Sequence, residues 1–138
     1  MKDLNIKRAS FSAVIVWTIG VTAFVTSYFV PVMNDPDAQA NLVLSVALVP
    51  ATILGARFYY HKGFGTNGFL VGGYMFLVTI LLDACITVPV FIFPAGGDHL
   101  TFFGDPGFWL IGLEYISVIA VYWTIQYKVR TTNISQTT

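Results

Sequence analysis

Four long apolar runs dominate this chain: residues 11–32, 42–58, 68–93 and 108–127. About 20 apolar residues cross the hydrocarbon core of a bilayer as a helix. A spanning segment must satisfy its own backbone polar groups, and a helix does so. The runs therefore predict an all-α integral membrane four-helix bundle, a single transmembrane domain over residues 1–138. The connections 34–41, 59–67 and 94–107 are short, so neighbouring helices should be antiparallel, up-down-up-down. The first run is too long for the apolar region of a signal peptide and reads as a retained span. Composition agrees. Only 10% of the residues are charged, against about 25% in ordinary soluble domains.

The charges decide orientation. Lys2, Lys7 and Arg8 precede the first run, Arg57 and Lys62 flank the loop after the second, and Lys128 and Arg130 follow the fourth. The other two loops carry only Asp35, Asp37, Asp98 and Asp105. By the positive-inside rule the basic side is cytoplasmic, giving an N-in/C-in protein with residues 128–138 as a polar, disordered cytoplasmic tail. Aromatic residues mark both interfaces: Tyr59, Tyr60, Trp123 and Tyr127 on the basic side, Tyr28, Phe29, Phe102, Phe103 and Trp109 on the acidic side. Val30-Pro31-Val32 and Val88-Pro89-Val90 echo one another near the acidic ends of runs one and three, a three-residue match that chance gives as readily as a duplicated helical hairpin would.

Two acids lie inside apolar runs, Asp83 in the third and Glu114 in the fourth. A charged side chain at mid-bilayer costs roughly 2.5–3.5 kcal/mol on insertion scales, so such a residue usually faces a bundle interior or a wet cavity. At 1.5 Å rise per residue both fall roughly 3–5 Å to the acidic side of the midplane. Two carboxyls at one depth on adjacent helices can meet. If they do, repulsion of about 4 kcal/mol at 4 Å and an effective dielectric of 20 keeps them from both ionising. Thr79, Asp83 and Thr87 recur every four residues and share one helix face. Glu114 shares a face with Ser117 on the fourth run, and Thr18, Thr22 and Thr26 make another four-spaced stripe on the first, so three helices offer hydroxyls to one polar seam. Asp83, Glu114, Thr79 and Thr87 are the candidate proton or cation site.

A weaker candidate is the acidic-side loop with Asp98, His99 and Asp105, residue types that serve metal binding or acid–base chemistry. Its Gly96-Gly97 and Asp105-Pro106-Gly107 also read simply as turns. His61 lies on the opposite side from His99, and no other histidine exists, so bis-histidine haem within one chain is excluded. Cys85 stands alone, which excludes a CxxC redox pair, and reads as a small buried hydrophobe. No catalytic motif, metal site or cofactor is expected, and no basic cluster suggests nucleic acid.

The stretch Asp83-Ala84-Cys85-Ile86-Thr87-Val88-Pro89-Val90-Phe91-Ile92-Phe93-Pro94, then Gly96-Gly97 and Gly107-Phe108-Trp109-Leu110-Ile111-Gly112-Leu113-Glu114, resembles small bacterial four-span proteins grouped as a domain of unknown function. The resemblance implies a multi-pass protein of the bacterial inner membrane and supplies no activity, substrate or cofactor. Size and an embedded acid are also similar to the small multidrug resistance transporters. Their essential glutamate lies in the first span, where this chain has no acid, so that likeness is one of physics and not of family.

Two functional readings follow. One is a small proton- or cation-coupled transporter. The other is a non-catalytic accessory or interaction subunit, in which the two acids are glue between helices. The small-residue faces Ala47/Ala51/Gly55 and Gly68/Gly72 suit close helix packing. They leave room for a homodimer or a membrane partner protein beside the lipid that surrounds the bundle.

Overall fold

The computed structural model describes residues 3–137. The helices are α1 (Ile6–Ser27), α2 (Pro36–Tyr59), α3 (Gly68–Leu82), α4 (His99–Phe103) and α5 (Pro106–Thr137). A single 3₁₀ turn, Tyr60–Lys62, follows α2, and α3 runs on as a π-helix over Asp83–Ile92. Four helical stretches are long and apolar enough to cross a membrane, and no strand occurs among the described residues. The chain is an all-α, multi-pass membrane four-helix bundle.

Short polar residues start the helices, because their side chains accept the N–H groups that a first turn leaves unpaired. Asn5 accepts from the Arg8 amide at the start of α1. Asp35 accepts from the Asp37 and Ala38 amides of α2, with Pro36 at the first helical position, where its missing N–H costs nothing. Asn67 does the same for α3, and Asp98 for α4. α2 continues through Pro50 without ending.

In cross-section the four long helices form a ring in which α1 and α5 each pack on α2 and α3. Val16, Leu48, Ala51, Met75, Tyr115 and Ile119 fill the core. Val46, Leu54, Leu70, Leu77, Leu81, Leu110 and Leu113 are exposed around the bundle. An apolar girdle of this extent suits lipid rather than water.

The small-residue faces are used inside the chain. A Cβ on Gly55 would lie 2.6 Å from Val16 Cγ2 of α1. One on Gly68 would lie 2.7 Å from Trp123 Cβ and 2.9 Å from Ala120 Cα of α5, and one on Gly72 3.2 Å from Ile116 Cα. These glycines let backbones approach closely within one bundle.

Four expectations change. α1 ends at Ser27, so Val30-Pro31-Val32 lies beyond the helix while Val88-Pro89-Val90 lies within one; the echo has no structural counterpart. Gln39 explains the early end. Buried at the start of α2, it donates to the Ser27 and Val30 carbonyls and accepts from the Val32 and Met33 amides. Residues 128–137 are helical, since α5 meets no glycine or proline after Gly112 that would stop it. Thr138 lies outside the described residues. Cys85 is exposed rather than buried. The threonines Thr18, Thr22 and Thr26 are exposed too, and Thr18 and Thr22 bond back to the carbonyls of Val14 and Thr18. They face away from the interior and take no part in a polar seam.

The antiparallel order collects Lys7, Arg8, Arg57, Lys62, Lys128 and Arg130 at one end of the bundle, called here the basic end. Lys2 lies outside the described residues. Asp35, Asp37, Asp98 and Asp105 lie at the other, acidic end.

Candidate cation site in the bundle

The two intramembrane acids do not meet. Asp83 opens the π-helix and faces α1, where Trp17 Nε1–H donates to its Oδ1 at 3.0 Å. The Thr87 hydroxyl donates to the same oxygen at 2.7 Å and itself accepts from Trp17 Nε1 at 3.2 Å. The three side chains close a triangle between α1 and the third span. Glu114 faces α2 instead, where the Ser45 hydroxyl donates to its Oε2 at 2.7 Å. Two acids at similar depth thus point at different neighbours. The repulsion expected of a touching pair does not arise, and Glu114 with Ser45 reads as a bond joining α2 to α5.

Asp83 is 7% exposed, and Thr87 beside it is buried. Both bonds to Asp83 end on Oδ1. Oδ2 has no hydrogen-bond partner among the described residues, yet it is not among the sealed polar atoms there, of which Ser12 Oγ is the one without a partner. Oδ2 is therefore reachable, and the reason is a cavity of about 650 Å³ within the bundle. Asp83, Thr79, Thr87, Trp17 and Tyr115 line its inner part; Asp35, Asp37, Asn41 and Asp105 line it at the acidic end. Among the described residues, no lysine, arginine or histidine lines it. Thr79 donates to the Met75 carbonyl and lies 3.4 Å from the Tyr115 hydroxyl. Three of the four candidate residues thus share one cavity, and Glu114 stands outside it.

Trp17 and Tyr115 escaped the sequence reading. A tryptophan well inside a span, away from the interfacial belt, still needs a partner for its indole N–H; that was the available signal for Trp17.

The acidic-end loop has structural roles. Asp98 accepts from the Thr101 amide at 2.8 Å and from its hydroxyl at 2.6 Å, which holds its carboxyl below the usual carboxylate range. Asp105 accepts from the Gly107 amide and lies 3.5 Å from Asn41 Nδ2. Beyond the end of α1, the Tyr28 hydroxyl donates to Asp37 at 2.9 Å. Burial, that bond, and the charges of Asp37 and Asp35 raise the phenol to about 12. No group of three His, Cys, Asp or Glu side chains able to hold a metal ion occurs among the described residues.

His99 has a specific task. In the π register the carbonyl of residue i accepts from the amide of residue i+5. For Ala84 that residue is Pro89, which has no N–H. His99 Nε2 lies 2.8 Å from this carbonyl. A carbonyl only accepts, so Nε2 carries the proton. The imidazole replaces the bond that Pro89 cannot make and ties α4 to the π-helix that carries Asp83.

No family model, curated protein or solved structure matches this chain. The functional reading rests on the geometry.

Proposed function

We propose that this chain is a small membrane transporter that takes up a proton or cation at Asp83 through the cavity open at the acidic end. One observation carries the reading: a buried carboxyl with one unoccupied oxygen, in a cavity with no basic residue in its wall among the described residues. A buried ionisable group without a counter-charge is costly, and a site that binds a positive charge accounts for that cost. The aspartates at the mouth raise the local concentration of cations. With the basic end cytoplasmic, as expected for a protein of the bacterial inner membrane, this conformation faces outward. The interaction-subunit reading loses its main motive, because the small-residue faces pack within the chain.

The test is proton flux into liposomes holding the purified protein and an internal pH-sensitive dye. Wild type and Glu114→Gln should conduct, and Asp83→Asn, shown to be folded, should not. Equal flux in wild type and Asp83→Asn would remove Asp83 from the pathway.

A further inference from the structure

A proton or a metal ion has no use for most of this cavity. Its wall is largely apolar, and Trp17, Phe24, Phe76, Phe108 and Tyr115 contribute aromatic surface to it. About 650 Å³ lies within the usual range of small-molecule sites. A hard metal cation seeks six or more oxygens, whereas the inner part offers one free carboxyl oxygen and a few hydroxyls already bonded within the chain. An anion would meet Asp35, Asp37, Asp105 and Asp83 with no opposing charge in the wall. A neutral apolar molecule would leave Oδ2 of Asp83 without a donor, and a buried acceptor without a partner costs about 1–3 kcal/mol.

We propose that the ligand of this site is a protonated amine carrying an apolar, ring-sized body. Its ammonium N–H donates to Oδ2 of Asp83, the oxygen that Trp17 and Thr87 leave free. Its body lies against the aromatic wall, where a cation also gains from the ring faces. The inference rests on the reading of Asp83 as a cation site and names the class of cation.

Equilibrium binding of 2-phenylethylamine to the full chain in lipid nanodiscs tests it. Wild type should bind the amine saturably and at least tenfold more tightly than 2-phenylethanol, which keeps the ring and lacks the charge. Excess ammonium or potassium chloride at constant ionic strength should not displace it. Asp83→Asn should lose tenfold or more, and Glu114→Gln should bind like wild type. The comparison of amine with alcohol needs no variant, so it stands even if Asp83→Asn fails to fold. Equal binding of amine and alcohol, or displacement by ammonium, would overturn the assignment. Asp83-dependent proton flux without amine binding would also overturn it and leave the transporter reading in place. Amine binding without flux would support this site and remove transport.

Discussion

The basic and acidic ends of the bundle are built in opposite ways. At the basic end Tyr59 donates to Thr66 and accepts from the Asn5 amide, Tyr60 donates to the Thr66 carbonyl, and Thr66 reaches the Asp3 carbonyl. Tyr60 stacks on Phe64, Trp123 donates to the Phe64 carbonyl, and Arg130 lies 4.6 Å above the Phe64 ring. Gly55, Gly68 and Gly72 draw the helices together. At the acidic end the helices enclose the cavity, although glycines pack closely there too, Gly112 against the Phe76 ring and Gly20 against Leu44. Side-chain bonds join the elements around it as well, among them Trp17 to Asp83, Ser45 to Glu114, and Gln39 to the segment after α1. One sequence thus makes a sealed end around Thr66 and an open end around the cavity. A transport cycle would have to loosen the sealed end.

The contrast can be broken most forcefully at the sealed end. Gly68→Ala puts a methyl against the Ala120 backbone and Trp123, which cannot both yield, and overpacking of this kind costs about 1–3 kcal/mol. Gly73→Ala meets nothing within 4 Å and replaces a poor helix former, so it should be neutral or stabilising. Thermal unfolding in detergent should show a clear drop for the first and none for the second. Similar melting of the two would mean that the basic end is looser than described.

A smaller effect is expected at the open end. His99→Ala leaves the Ala84 carbonyl without its donor, at a cost of about 1 kcal/mol because water can reach the exposed imidazole's place. His99→Gln, which keeps an N–H donor, should restore most of the loss. Amide exchange over 83–92 would show the change locally, and unchanged protection in His99→Ala would separate α4 from the π-helix.

The smallest effect concerns the mouth. Asparagine caps helices about as well as aspartate. The triple variant Asp35→Asn, Asp37→Asn, Asp105→Asn should therefore fold normally. Cation entry should slow several-fold at low salt, and the difference should fade at high salt as screening removes the attraction. A rate equal to wild type at low salt would show that the mouth does not steer.

Much of this was legible in the sequence because the bilayer leaves few choices. Run length and polarity predicted four helices, and the separation of lysine and arginine from aspartate predicted which termini share an end. Asp83 announced itself through the cost of a carboxyl in hydrocarbon. What stayed hidden depends on rotation about helix axes. Depth along a span could be counted, but azimuth could not, so Asp83 and Glu114 looked like a pair although they face α1 and α2 respectively. The threonine stripe of α1 looked inward for the same reason. His99 meeting Ala84 depends on a π register that local propensity does not signal, and on a loop that folds back over 15 residues.

The central claim is that water and cations reach Asp83 from the acidic end and not from the basic end. Thr79→Cys in a Cys85→Ser background places one thiol in the cavity wall near Asp83. Membrane-impermeant thiosulfonates of opposite charge, applied to each face of oriented vesicles, read its accessibility. Reaction is expected from the acidic face alone, roughly tenfold or more faster with the cationic reagent, with that preference reduced in Asp83→Asn, where the mouth aspartates remain. Reaction from the basic face, or equal rates for the two reagents, would contradict it.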